Sequence, residues 1–176
     1  MTGIFNQDDW KDRVDWPLFQ NGAISLFFRK SIFDQTIGAL KDLDYNFVDL
    51  DCSSEASFLS TISRGFLWEE QFGYELEEPN LDAINDGLRS PPFGPSNKLA
   101  ICARDFEKMV KANETLALAF LDILENQSRN NLLFGQVLLG IIQTNDPRFQ
   151  TGLLGGRPAM FNLKEWLDVN RGIEQS

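Results

Sequence analysis

Residues 79–88 read PNLDAINDGL, and this stretch is the most informative in the chain. Its apolar residues Leu81, Ile84 and Leu88 recur at the spacing of a single helical stripe. The proline and asparagine at its start interrupt whatever pattern precedes them. The stretch therefore predicts a helix over residues 81–89 whose apolar stripe faces the core.

Two acidic residues lie on the other face of this predicted helix. Asp82 and Asp86 are four residues apart, which makes their side chains neighbours on the helix surface. Like charges at this spacing cost about 0.2–0.5 kcal/mol, and aspartate is a weak helix former. Only Asp82 is close enough to the helix N-terminus to regain part of that cost. A pair that weakens its own helix indicates a binding surface.

Acidic residues are concentrated around the same helix. The whole chain of 176 residues has 26 acidic and 16 basic side chains and a net charge of −10. Residues 69–86 contain no basic side chain and seven acidic ones, namely Glu69, Glu70, Glu75, Glu77, Glu78, Asp82 and Asp86. Nucleic-acid binding draws its affinity from lysine and arginine, so we expect no nucleic-acid partner. A negative patch favours a basic protein partner, and a solvated face without function is the alternative.

Histidine is absent from the sequence, and this excludes several catalytic classes. Serine and cysteine nucleophiles that rely on an imidazole base have no such base here. The chain has only two cysteines, which can form neither an all-thiolate zinc site nor a disulfide scaffold. We therefore expect no metal ion and no cofactor.

The sequence also predicts a cytoplasmic protein that does not associate with membranes. Its first residues contain neither the basic region nor the apolar segment of a secretory signal. The apolar neighbours of Cys52 and Cys102 suggest buried thiols in a reducing compartment. The longest apolar stretches are far shorter than the roughly 18 residues of a membrane span.

Short apolar runs alternate with helical patterns along the chain. Strands are predicted at 23–28, 46–52, 99–103 and 138–143. Helices are predicted at 32–43, after a cap at Ser53 or Ser54, and at 81–89, 105–111, 114–126 and 163–169. Strands separated by helices predict an α/β fold, with a small and mostly parallel sheet packed by α-helices.

The order of these elements resembles the barstar family. The sequence Asn-Leu-Asp-Ala at 80–83, with a second aspartate four residues after the first, is similar to the family's recognition helix. The surrounding strands and helices agree in order and spacing. The resemblance implies a barstar-like domain at 46–147. It leaves an N-terminal extension at 1–45, a strand-helix unit that adds to the sheet, and a C-terminal tail with a short helix at 148–176.

Members of this family inhibit secreted ribonucleases, and their two helix aspartates occupy the places of substrate phosphates in the enzyme. The resemblance therefore implies a bacterial, non-catalytic inhibitor or immunity protein. Its partner would be a basic protein, either a secreted ribonuclease or a polymorphic toxin nuclease. The barnase–barstar pair is itself the standard example of electrostatic steering, so the resemblance supplies that expectation. The implied partner-binding residues are Asp82, Asp86, Asn80, Asn85, Asp122, Tyr74 and Glu78.

The residues before the motif depart from the family pattern. An aromatic turn that contains glycine is typical there, whereas this chain has YELEEP at 74–79. We expect Tyr74 to supply the aromatic side chain. We expect Asp122, on the helix before the last strand, to be the family's third carboxylate. The added acids and the missing turn glycine predict a partner surface different from that of typical members.

Two other functions stay open. One is a barstar-like interaction module whose partner is not a nuclease, for which complex formation would depend only weakly on salt. The other is a small metal-dependent phosphohydrolase. Asp49-Leu50-Asp51 at a strand end resembles the nucleophile motif of haloacid-dehalogenase-like phosphatases, but the further acids, hydroxyl and lysine of that chemistry have poor substitutes here. The simpler explanation is that Asp51 caps the turn into the next helix.

Overall fold

A computed structural model describes residues 13–166 of the chain. Its elements are α1 Asp15–Gln20, β1 Ile24–Phe27, α2 Lys30–Asp42, β2 Asn46–Leu50, α3 Glu55–Gly65, α4 Trp68–Phe72, α5 Leu81–Arg89, β3 Lys98–Ala103, α6 Glu107–Ala112, α7 Glu114–Leu132, β4 Val137–Gln143, β5 Met160–Phe161 and α8 Leu163–Trp166. This order confirms the predicted α/β class. Among the described helices, none has the length and apolar character needed to cross a bilayer.

Five parallel strands form one sheet in the order β2-β3-β4-β1-β5. The middle strand β4 is buried along its whole length, and so is its neighbour β1. Continuous burial is typical of parallel strands that carry helices on both faces. The strand from the N-terminal extension therefore lies inside the sheet. The short strand β5 from the tail pairs with the outer edge of β1.

The apolar core is divided in two, because successive strand residues point to opposite faces of the sheet. On one face, α1 and α2 pack against the strands, with Phe33 and Ile141 among the buried residues. On the other face lie α3 to α7, with Phe120 and Leu138 among the buried residues. Residues 15–42 therefore cover a face of β3 and β4 that would otherwise be exposed.

Two buried carboxylates fasten β1 to distant parts of the chain. The Glu125 carboxylate on α7 accepts a hydrogen bond from the backbone N–H of Ala23 at 2.7 Å. The Glu165 carboxylate on α8 accepts hydrogen bonds from the backbone N–H groups of Phe28 at 3.0 Å and Arg29 at 2.6 Å. Hydrogen bonds to an ionised carboxylate are stronger than neutral ones. The N-terminal strand is thus held by α7 at its start and by the tail at its end.

The sequence misses α1, α4 and β5, which are too short for a periodic pattern to identify them. It also predicts that the helix beginning at 114 ends at 126, and this is wrong, because α7 continues to Leu132. The polar residues beyond 126 resemble a helix end, but three of them are buried. Gln127 and Asn131 donate hydrogen bonds to α5, and Ser128 donates one to β4. Of the predicted last helix, residues 167–169 lie outside the described residues.

A buried carboxylate on α1 links this helix to the residue before β2. Asp15 is fully buried and accepts hydrogen bonds from the Tyr45 hydroxyl at 2.8 Å and from Arg13 Nη2 at 2.6 Å. Burial raises the pKa of the Asp15 carboxyl, but the hydrogen bonds from Arg13 and Tyr45 outweigh burial, so that pKa lies below its usual range. Burial and the charge of Asp15 raise the pKa of Tyr45, so its hydroxyl remains a donor.

We expect Tyr45→Phe to lower the free energy of unfolding by about 1.5–3 kcal/mol at neutral pH, since it removes a hydrogen bond to a buried charge. A carboxyl with a depressed pKa adds stability above its unfolded pKa and loses it as the pH falls through the folded value. The deficit of the variant should therefore shrink below about pH 4. Urea unfolding across this pH range measures it. Tyr74→Phe is the matched control, because Tyr74 is exposed and should change stability little.

Candidate functional site

Helix α5 begins and ends where the motif predicts. Asn80 lies just before it, and its side-chain oxygen accepts a hydrogen bond from the backbone N–H of Ala83 at 3.0 Å, which caps the helix. Ile84 and Leu88 are fully buried. Leu81 is 38% exposed, so the prediction that it faces the core is wrong. Leu81 is the first residue of α5, and the exposed residues 77–80 that precede it do not cover its side chain.

The close packing of α5 depends on Gly87. The indole of Trp68 from α4 is fully buried and lies directly against the α5 backbone at this residue. A Cβ atom added at Gly87 would lie 2.3 Å from Cζ3 of the Trp68 ring, which is far inside van der Waals contact. A glycine in mid-helix costs stability, but here it lets a large aromatic ring pack flush against the helix. The position of α5 is therefore set by a tertiary contact.

Asp82 and Asp86 are both exposed on the outer face of α5. Within residues 13–166, the side chain of Asp82 makes no hydrogen bond or ion pair. Asp86 lies 4.0 Å from Arg89 Nη2, the limit of an ion pair, and both side chains are mostly exposed. A pair of this kind contributes little, since water screens it and both side chains stay mobile. The two carboxylates thus face solvent with almost no internal compensation.

The remaining acids of residues 69–86 extend this charge across the segment before α5. Their side chains are all exposed. The segment is pinned by Leu76, which is buried and whose backbone N–H donates to the Ser63 hydroxyl at 3.3 Å. We call the seven carboxylates of residues 69–86 the acidic surface. Glu78 belongs to it and lies in the turn next to the capping residue Asn80.

Tyr74 belongs to an aromatic cluster that adjoins α5. Its ring centroid lies 6.4 Å from that of Trp68, and the ring of Phe72 lies 4.7 Å from the same indole. Phe72 and Tyr74 are partly exposed, whereas Trp68 is buried. The sequence predicts Tyr74 as the aromatic of the site but misses Phe72, although Phe72 lies within the same stretch that lacks basic residues.

The structure places Asn85 and Asp122 in internal hydrogen bonds. The Asn85 side-chain oxygen accepts from Gln127 Nε2 at 2.7 Å, which joins α5 to α7. One Asp122 oxygen accepts from the backbone N–H of Gly155 in the tail at 2.8 Å. Asp122 and Gln127 are five residues apart and so point about 140° apart around α7. Asp122 is therefore directed away from the side of α7 that contacts α5.

Among residues 13–166, no three carboxylate or thiol side chains form a group that could hold a metal ion. Asp49 is exposed on β2. Asp51 accepts hydrogen bonds from the Ser53 side chain and, at 2.9 Å, from the Ser53 backbone N–H. These bonds cap the turn into α3 and hold the pKa of the Asp51 carboxyl below its usual range. Burial raises the pKa of the Cys52 thiol to about 12, so this residue carries no thiolate at neutral pH.

Comparison with known proteins agrees with the geometry of α5 and its surroundings. Residues 46–137 match the family described as Barstar (barnase inhibitor). The match covers more than half of the chain and runs from β2 to the first residue of β4, with α5 at its centre. The elements β1, α2 and β5 lie outside it. No curated protein matches the chain. The extent of the family match shows that this chain belongs to the barstar family.

Proposed function

We propose that the chain is a non-catalytic inhibitor that binds a basic nuclease and covers its active site with the acidic surface on and before α5. The observation that carries this proposal is a pair of exposed, almost uncompensated carboxylates on a rigidly packed helix. The family description, which names barnase inhibition, supports a nuclease as the partner. Occupation of the active site is sufficient for this role, so no catalytic group is required.

The acidic surface suits this role because it is negative before the partner arrives. The backbone of a packed helix loses little further conformational freedom on binding. A concentrated negative potential also speeds the encounter with a cationic cleft. Asp82 and Asp86, one helical turn apart, would face the basic side chains that normally hold substrate phosphates.

The other predicted site residues would contribute in different ways. Tyr74 and Glu78 are exposed beside α5 and would contact the partner directly. Asn80 and Asn85 would act by holding α5, since their side chains cap it and join it to α7. We leave Asp122 out of the proposed contact surface, because its carboxylate accepts a hydrogen bond from Gly155 in the tail. This difference supports a partner surface unlike that of a typical family member.

In its cellular setting, the proposed role is protection of the producing cell. A bacterium that secretes a ribonuclease, or a toxin with a nuclease domain, needs an inhibitor in its own cytoplasm. The net charge of −10 suits a basic target of this kind.

We expect the purified chain to bind at least one basic nuclease with a Kd in the nanomolar range or below, and to abolish its activity at equimolar ratio. Calorimetric titration against barnase and a panel of purified basic ribonucleases and DNases measures this. The association rate should fall steeply as the ionic strength rises from about 0.05 to about 0.5 M, since salt screens exposed charges.

An absence of binding across the panel would contradict the nuclease proposal and favour a partner of another class. Binding whose rate is insensitive to salt would also count against it, because an apolar interface and not the acidic surface would then carry the contact.

A further inference from the structure

The last residue of α7 and the turn that follows it expose an unusual amount of apolar surface. Leu132 is 38% exposed, Leu133 is 83% exposed and Phe134 is 80% exposed. Single exposed apolar residues are ordinary, but consecutive ones of this size on a folded surface are typical of contact sites. We call Leu132, Leu133 and Phe134 the apolar turn.

The apolar turn is firmly held at its base. The backbone N–H groups of Phe134 and Gln136 both donate to the carbonyl of Asn131, at 3.0 and 3.1 Å. The side chain of Asn131 is buried and donates to the carbonyl of Leu88 at 3.2 Å, near the end of α5. The turn and the acidic helix therefore belong to one rigid unit.

The position of the turn relative to α5 follows from two hydrogen bonds between the helices. Asn85 is hydrogen-bonded to Gln127, and Leu88 to Asn131. Because the residue numbers increase together in the two pairs, α5 and α7 run in the same direction. The apolar turn follows Asn131 directly and so lies beyond the C-terminal end of α5. The aromatic cluster also packs on α5, because the Trp68 ring lies against Gly87.

Exposed apolar side chains are concentrated around α5. Among the described residues, nine large apolar side chains are exposed, and two of them, Leu153 and Leu163, belong to the tail. The other seven lie on α5, on the neighbouring α3–α5 segments, or on the turn after α7; they are Leu67, Phe72, Tyr74, Leu81, Leu132, Leu133 and Phe134. Most of the exposed large apolar side chains of the described residues thus lie on α5 or on segments that adjoin it.

We propose that the apolar turn is a second contact with the nuclease that the acidic surface binds, and that this partner carries an apolar pocket beside its basic cleft. The inference rests on the proposed function. A second copy of this chain is a poor occupant, because it would bring two acidic surfaces of the same sign together. A nuclease with a basic cleft and an apolar pocket beside it would complement both the acidic surface and the apolar turn.

The test is a variant with Leu133→Ser and Phe134→Ser, titrated against the nuclease that binds the wild-type chain. We expect binding about 10- to 100-fold weaker, through faster dissociation, with the salt dependence of the association rate unchanged. Leu153→Ser is the matched control, since Leu153 is 72% exposed in the tail and should leave binding unchanged. Urea unfolding of both variants verifies that the fold is retained, and Phe134→Ser alone serves if the double variant is less stable.

Equal binding by the double variant and the wild type would overturn this inference and leave the proposed function intact. Self-association of the wild type that the double variant loses, measured by sedimentation, would overturn it as well, because the turn would then contact a second copy. A wild-type chain that binds no basic nuclease removes both the proposed function and this inference.

Discussion

Replacing Asp82 and Asp86 together by alanine is expected to weaken nuclease binding by about 4 kcal/mol or more, roughly a thousandfold in Kd. The loss is large because the removal of each carboxylate would leave a basic side chain of the partner buried without its counter-charge. The salt dependence of the association rate should also become less steep, since two of the seven carboxylates of the acidic surface are lost. Calorimetry gives the affinity, and stopped-flow mixing at several ionic strengths gives the rate.

Folding of this variant should be unchanged or slightly improved. The double replacement removes a repulsion worth about 0.2–0.5 kcal/mol and introduces a better helix former, while the loss of Asp82 near the helix N-terminus offsets part of that gain. A structural residue would instead lose stability together with binding. Urea unfolding therefore separates a contact role from a structural one.

The matched control is Asp42→Ala with Asp49→Ala, which changes the net charge by the same amount at two exposed residues on α2 and β2. These residues lie away from α5, so the control should weaken binding only slightly. If both pairs of replacements weakened binding equally, overall charge and not the surface on α5 would explain the affinity.

Gly87→Ala is expected to lower the free energy of unfolding by about 1–3 kcal/mol, although alanine favours helices. The new methyl group would meet the Trp68 ring at 2.3 Å, and that ring is fully buried and cannot turn aside. The melting temperature should fall by about 2–4 °C for each kcal/mol. Because α5 would be displaced, nuclease binding should weaken too.

Gly38→Ala is the matched control for this prediction. Gly38 also lies within a helix, α2, but a Cβ atom added there would have no neighbour within 4 Å. This replacement should raise stability by about 0.5–1 kcal/mol through helix propensity alone. Opposite signs for the same substitution are the expected result. A gain in stability at both glycines would mean that the contact between Trp68 and α5 is looser than the structure indicates.

A second substitution tests the cause of the Gly87 effect. In the Gly87→Ala background, Trp68→Phe should recover part of the lost stability, because the smaller ring leaves room for the methyl group. In the wild-type background the same change should only destabilise, since it opens a cavity in the core. This non-additivity is typical of two residues in direct contact.

Local patterns in the sequence predict much of the fold correctly. The four predicted strands correspond to β1, β2, β3 and β4, and the motif at 79–88 predicts both ends of α5. The errors arise where a local signal has a tertiary explanation. Polar residues after 126 suggest a helix end but are buried against α5 and β4. The domain boundaries at 45 and 147 stay predictions.

The candidate site also has features that the sequence predicts and features that it does not. The acidic face of α5 is visible in the sequence, because the spacing of Asp82 and Asp86 and the absence of basic residues are local properties. The direction of Asp122 is not, because it depends on where the tail passes α7. The assignment of partner-binding residues stays a prediction until it is measured.

The sequence by itself determined the α/β class, the extent of α5 and the negative charge around it. These properties follow from periodicity and charge within a few residues, which any helix or strand of this sequence would share. Only the tertiary structure decided that β1 lies beside β4, that Gly87 makes room for Trp68 and that the apolar turn is joined to α5. Each of these depends on a contact between residues distant in the chain, and a pattern within a few residues does not show which distant residues meet.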